Sequence, residues 1–490
     1  MITLLFCLLL VVLLLLAEPL WVLLGAATLA AYVLWGDARS FNDLDGMLER
    51  IRGLVNQQVL LAIPFFLISG EVMAKGQIST RLINFAKALV GWLPGGLAVS
   101  GIGACLLFAA ITGSSTATLA AIGGLVYPAL VKEKYRENFS LGLVTTAGSI
   151  GILVPPSIPM IIYCLFNTGA RLEVERLWLG GVGPALLIAT CLGIYAILSG
   201  RRQKVPRQKF SLRTLGVATR DGFWALLLPT IILGGIYSGL FTAIEAAAVA
   251  AVYALLVEVY FHRSLTWRQV PGVLAGVVTL LGSFMIIIIM AMGLADFLET
   301  NKVPEAAAQW IGDMHLGPWG FLLILDLLLL IVGCLLDILS ALMILVPLIA
   351  PMAAQLGIDP VHLGIVFIVN LEIGYLTPPV GLNLFLSASM FNRTFPQVVR
   401  ATAPFVALML ICLGAVTYVP RVSLTLVDAV YGPSTTAPLA SPASPAPAPR
   451  KVKSMKELTD EANPDQPPAA RAPKKVKSMK ELTEEAGGPD

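Results

Sequence analysis

Two short polar stretches interrupt long apolar runs: Gly113, Ser114, Ser115 and Thr116 in the first half of the chain, and Asp337 and Ser340 in the second. Each is followed some 40 residues later by a proline pair set in an apolar stretch, GSIGILVPPSIPMIIY from Gly148 and LEIGYLTPPVGLNLFL from Leu371. Proline cannot donate to the carbonyl four residues back. Pro155 and Pro156 therefore free the oxygens of Gly151 and Ile152, and Pro378 and Pro379 free those of Gly374 and Tyr375. A bare carbonyl surrounded by lipid or protein costs several kcal/mol unless water, protein or a cation meets it. Hydroxyl, carboxylate and carbonyl oxygens brought together in this way suit a hard monovalent cation.

The expected arrangement is two Na⁺ sites, each between a polar tip and the neighbouring broken helix. Ser114 and Gly151 serve one; Asp337, Gly374 and Thr377 serve the other. Helix N-termini after Ser115 and after Asp337 offer free N–H groups and the positive dipole end to an anion held between the tips. The substrate space is assigned to Ser115, Thr116, Pro155, Pro156, Ser157, Ser340, Pro378, Pro379 and Asn383. No resident metal or cofactor is expected. The competing reading is that the Gly-Ser-Ser-Thr stretch eases helix packing and the prolines only kink helices. Asp337 weighs against it, because an acid within an apolar stretch is expensive. Glu245, Glu372 and Asp326 share that status in weaker surroundings, where a satisfied polar contact explains them as well.

The elements that would hold these residues follow from composition. The 490 residues are 57% hydrophobic and 13% charged, with a mean hydropathy of +0.83, far from the roughly 25% charged of an average soluble domain. Ordinary soluble architecture is excluded, and an all-α polytopic membrane protein is expected. Thirty-three basic against 30 acidic residues is too even for nucleic acid binding. The six cysteines sit singly in apolar runs and read as small buried hydrophobes. His262, His315 and His362 fall at span ends and read as interfacial. The opening apolar run reads as a membrane anchor, and Ser40 to Gln58 as an interfacial or loop helix.

A shift of 223 residues lays Gly70 on Gly293, Ser114 on Asp337, Gly151 on Gly374, and Pro155 and Pro156 on Pro378 and Pro379. The chain thus reads as a duplication, with copies at 1–200 and 222–420, hairpins at about 96–131 and 317–353, and broken spans at about 139–168 and 361–390. Hairpin arms of about 15 residues reach about 23 Å, short of a hydrocarbon core of about 30 Å, so re-entrant hairpins are expected. Residues 201–221 carry seven basic residues and one acid, which makes this linker cytoplasmic, whereas Asp296–Gly317 has four acids against Lys302. Opposite-facing copies would make an inverted repeat of the secondary-transporter kind. Residues 421–490 read as a disordered polar tail in which KVKSMKELT occurs at 451–459 and again at 475–483.

The stretches GSSTATLAAIGGLVYPAL (113–130), GILVPPSIPMIIY (151–163), LPTIILGGIYSGLF (228–241), GCLLDILSALMILVPLIAP (333–351) and, above all, LGIDPVHLGIVFIVNLEIGYLTPPVGLNLFL (356–386) resemble the large membrane subunit of tripartite ATP-independent periplasmic (TRAP) transporters. The resemblance covers about residues 1 to 420. It implies an elevator-type carrier in the bacterial inner membrane that takes up an organic acid, such as a dicarboxylate, with Na⁺. It also implies two partners: a periplasmic binding protein that delivers the substrate, and a small membrane subunit, here expected as a separate chain. The family's usual Pro-Thr before the glutamate near residue 245 is replaced by Ala243 and Ile244, and Glu18 precedes Pro19 where glycine-containing sequence is usual. The alternatives are a Na⁺-coupled carboxylate carrier of related fold that works without a binding protein and, more remotely, a membrane-embedded enzyme. No HExxH, paired intramembrane aspartates or aspartate-rich phosphate motif supports the latter.

Overall fold

The computed structural model describes residues 20–34, 52, 57–167, 172–205, 209–302 and 317–432. Ser40 to Gln57 apart from a few residues, His315, most of the acidic 296–317 loop, and everything after Gly432, including both KVKSMKELT segments, lie outside them. Among the described residues the protein is entirely helical, as a chain this apolar must be. In lipid a helix satisfies its backbone N–H and C=O groups within itself except at its ends. Among the described residues, eight helices are long and apolar enough to cross a membrane, or nine if the pair Leu212–Asp221 and Phe223–Tyr237, bent by 68°, counts as one more. The protein is a multi-pass membrane protein.

The helices of the first half are α1 (Leu20–Leu34), α2 (Ala62–Lys75), α3 (Ile78–Val90), α4 (Gly96–Thr112), α5 (Ser115–Lys132, with a π turn at Leu119–Gly123), α6 (Glu137–Ser149), α7 (Ile158–Phe166) and α8 (Val174–Arg202). After α9 (Leu212–Asp221) and α10 (Phe223–Tyr237) come α11 (Ala243–Leu256, continued by a π turn to Phe261), α12 (Val270–Thr300), α13 (Pro318–Leu335), α14 (Ile338–Gln355), α15 (Pro360–Gly374), α16 (Leu382–Met390) and α17 (Phe395–Tyr418), then α18 (Arg421–Tyr431).

The shift read from the sequence extends to the helix boundaries. It carries α1 onto the first part of α11, Ser115 at the start of α5 onto Ile338 at the start of α14, and α6 onto α15. It also pairs packing partners. Helix α1 packs along α12, and its counterpart α11 packs along α2, the counterpart of α12. Each copy thus contributes its first helix to the other. The half-helices cross over in the same way: α7 packs on α14, and α16 packs against α5 and α6.

Three boundaries differ from the sequence reading. Helices α9 and α10 have no counterpart among the described residues. The linker at 201–221 is not wholly a loop: Arg201 and Arg202 end α8, and α9 is a solvent-facing amphipathic helix whose Ser211 caps it. The tail does not begin at 421, because α18 follows Pro420 directly and packs on α8, burying Ser423 and Val427. The hairpin arms run 17 or 18 residues rather than 15, about 26 Å at 1.5 Å per residue. They gain this length because each turn between arms takes only two residues, Gly113–Ser114 and Leu336–Asp337.

Candidate functional site

The first tip is built by glycine. Gly113 ends α4 with φ of +59°, and a Cβ there would overlap the Pro156 carbonyl. Ser114, in extended backbone, then caps α5 by accepting from the Ala117 N–H at 3.4 Å, and its hydroxyl lies 3.2 Å from that of Thr116. The Ser114 carbonyl accepts from the Thr118 hydroxyl at 2.7 Å. Gly151 faces the same two oxygens, and a Cβ there would stand 2.8 Å from each. The tip and the break in the following helix are thus in direct contact, as the pairing of Ser114 with Gly151 requires. Beyond the buried Pro155 and Pro156, Ser157 caps α7 and its carbonyl accepts from Trp178 Nε1 at 3.2 Å.

The second tip reaches the same shape with different chemistry. Leu336 is extended, and Asp337 caps α14 by accepting from the Ser340 N–H at 3.1 Å and from the Ser340 hydroxyl. The Tyr375 hydroxyl accepts from the Ile338 N–H at 3.0 Å, which ties the tip to its broken helix. Gly374 lies against Gly333 so closely that a Cβ would overlap the Gly333 backbone. The Thr377 hydroxyl donates to the Ile373 carbonyl at 2.8 Å. Two carbonyls expected to be bare have partners here: Gly374 accepts from Thr377 N–H at 3.0 Å and Tyr375 from Asn383 N–H at 3.2 Å. The helix does not run through the prolines but ends at Gly374, so the freed oxygens close a turn. Each keeps a second lone pair for a cation.

Asn383 joins the copies. Its buried amide donates to the buried Ser115 hydroxyl at 2.6 Å, linking the second broken helix to the first tip. The breaks differ in access: Pro155 and Pro156 are buried, whereas Pro378 and Pro379 are exposed. Thus Ser114, Ser115, Thr116, Gly151, Pro156, Ser157 and Asn383 form one connected group. Asp337, Ser340, Gly374 and Thr377 form another. A cavity of about 640 Å³ opens elsewhere, between Asn167, Glu173, Glu175 and Thr242, and no residue expected at the site lines it.

Sequence reading passed over three contributors. The Ser149 hydroxyl lies 2.9 Å from Glu372 Oε1, 223 residues away, and 2.8 Å from the Thr146 carbonyl. Ser149 and Glu372 are equivalents under the repeat and meet each other, two residues before Gly151 and Gly374. Thr118 and the Tyr375 hydroxyl complete the tips; the shift pairs them with Ala341 and Ile152, so the repeat register gave no sign of either. The remaining singled-out groups resolve differently. Glu245 is not a buried acid but forms an exposed capping box with Thr242, legible in the Thr-Ala-Ile-Glu stretch. His262 and His362 sit at helix ends, and both are buried within the protein. Cys105 and Cys412 are buried as expected, while Cys164, Cys191 and Cys334 are only partly so.

Paired hairpins with tips against broken helices, repeated within one all-helical chain, define a transporter fold. A solved structure of the Alcanivorax borkumensis YdaH transporter shares it with a TM-score of 0.57 over 80% of this chain and 89% of that one, at 14% identity. The family model for the tripartite ATP-independent periplasmic transporter DctM component matches residues 7–422, and the chain belongs to that family. It is 44% identical over 75% of its length to the C4-dicarboxylate TRAP transporter large permease protein DctM of Pseudomonas aeruginosa, covering 86% of that protein. It is 39% identical to the protein of the same name from Rhodobacter capsulatus, with the same coverage. The isethionate permease DctMQ of Oleidesulfovibrio alaskensis is 37% identical over 83% of this chain and 63% of its own. The relatives are named as permeases, and this chain is a transporter subunit rather than an enzyme.

Proposed function

We propose that this chain is the large permease subunit of a Na⁺-coupled uptake system for an organic acid in the bacterial inner membrane. The observation that carries the reading is the matched pair of tips: Ser114 and Asp337, equivalent under the repeat, each cap a helix whose N-terminus abuts a broken span. Oxygen ligands at each tip hold a Na⁺, and the capped N-termini with Ser115, Thr116, Ser157, Ser340 and Asn383 receive the carboxylate between them. The exposed Pro378–Pro379 break opens that space on one side. Named cargoes among the relatives, C4-dicarboxylate and isethionate, support an anionic substrate.

In this reading the hairpins and broken spans move as a body against a scaffold containing α1, α2, α11 and α12, with the copies oppositely oriented in the bilayer. A periplasmic binding protein delivers the substrate, and a small membrane subunit completes the complex. The fused name DctMQ of one relative fits such a partner. Uptake into proteoliposomes holding the complex, with binding protein outside, should require an inward Na⁺ gradient, and Asp337→Ala should lose most of that dependence. Undiminished uptake without Na⁺, or wild-type Na⁺ dependence in Asp337→Ala, removes the mechanism. Uptake of free substrate at equal rate without any binding protein would favour the self-sufficient carrier.

A further inference from the structure

Midway along α13, Asp326 is 7% exposed and faces inward while its neighbours Leu323, Ile324 and Leu327 face outward. Its Oδ1 accepts from Asn370 Nδ2 at 2.7 Å, from α15, and from the Thr417 hydroxyl at 3.3 Å, from α17. No lysine or arginine pairs with it among the described residues. Asn370 is completely buried, and its Oδ1 has no partner although its Nδ2 also donates to the Val366 carbonyl at 2.9 Å. His362, likewise buried, approaches the Thr417 carbonyl at 3.2 Å through Nε2, while its Nδ1 has no partner.

The repeat supplies a control for what the fold itself needs. The equivalents of Asp326, Asn370, Thr417 and His362 in the first copy are Gly103, Ala147, Ile194 and Phe139. None of those four side chains carries a polar atom. The repeated sequence pattern therefore does not require the cluster, and a buried carboxylate without a counter-charge is costly enough to need another reason. Four oxygens converge: the Asp326 carboxylate, the Asn370 amide oxygen once that amide turns over, the Thr417 hydroxyl and the Val366 carbonyl. That set offers one negative charge and neutral oxygen ligands, which is what a hard monovalent cation takes.

We infer that Asp326, Asn370 and Thr417 form a further Na⁺ site, distinct from the two tips and present in the second copy only. The inference rests on the Na⁺ coupling proposed above and deepens it: charge carried at Asp326 travels with the second hairpin, because the ligands come from that hairpin's first arm, its broken span and α17. His362 orders the Thr417 backbone beside the ion as a positioning residue.

The test is equilibrium binding of ²²Na⁺ to the purified complex of permease and small subunit, with thermal melting in the presence and absence of Na⁺. Asp326→Asn keeps the shape and removes the charge. It should bind about one Na⁺ fewer per permease chain than wild type while melting close to wild type without Na⁺. Thr417→Val, which removes one ligand at constant volume, should weaken that ion roughly tenfold, and it provides the reading if Asp326→Asn does not fold. Asp337→Asn should lose a tip ion and keep this one. Equal Na⁺ binding by wild type and Asp326→Asn, or unaltered affinity in Thr417→Val, overturns this site and leaves the tip sites standing. A wild-type complex that binds no Na⁺ overturns the coupling itself, and this site with it.

Discussion

Individual residues at the tips are held by steric requirements that tolerate little change. Gly113 occupies left-handed backbone with the Pro156 carbonyl where a Cβ would be. Gly113→Ala should therefore cost at least about 2 kcal/mol, from strained backbone and displacement of the broken span together. It should lower the melting temperature of the purified complex and abolish uptake even where protein reaches the membrane. The sequence announced this glycine only as one of several small residues. Its positive φ comes from the two-residue turn, which is a property of how the arms dock. Glu245 shows the opposite case: its capping role was written in Thr242 to Glu245, yet an apolar context made it look like a buried acid.

Helices and their junctions carry the coupling between copies. The Ser149 hydroxyl meets both the fully buried Glu372 carboxyl and the Thr146 carbonyl, with one proton of its own to give. Ser149→Ala leaves the Glu372 group unmet and should destabilise the protein by about 1–3 kcal/mol, whereas Glu372→Gln, whose amide can either donate to or accept from Ser149, should melt nearer to wild type. Melting curves of the two variants side by side decide this, and equal losses would contradict the assigned contact. The link between Asn383 and Ser115 spans the second broken helix and the first tip. Asn383→Leu should leave expression intact and reduce the uptake rate at least roughly tenfold, as expected when a buried polar contact is lost at a binding site. Uptake at the wild-type rate would place Asn383 outside the substrate path. Neither link could be read from the sequence, because residues 223 or 268 apart meet only when the copies interlock.

At the scale of the whole molecule, the proposed elevator demands sliding between α2 and the first hairpin. Gly70 of α2 faces Thr112 at the end of α4, and a Cβ on Gly70 would lie 3.4 Å from the Thr112 Cβ. That separation is close to the roughly 3.5–4.5 Å span of a disulfide. Paired Gly70→Cys and Thr112→Cys substitutions, in a background where the native cysteines are replaced, should form a bond on oxidation that stops uptake and releases it on reduction. Full uptake by the oxidised, cross-linked protein would exclude relative motion of these elements.

The sequence by itself determined the membrane habit, the helical class, the duplication with its register, and the tips and breaks, because hydropathy, proline and glycine act locally and leave their marks in composition and spacing. Only the tertiary structure decided that each copy lends its first helix to the other, and that Ser149 meets Glu372, its own equivalent under the repeat. It alone showed that Asp326, noted in the sequence as a lone acid, is gathered with Asn370 and Thr417 from three helices. The physical reason is that such contacts depend on how separate helices pack, and packing distances are not encoded in any single stretch of chain.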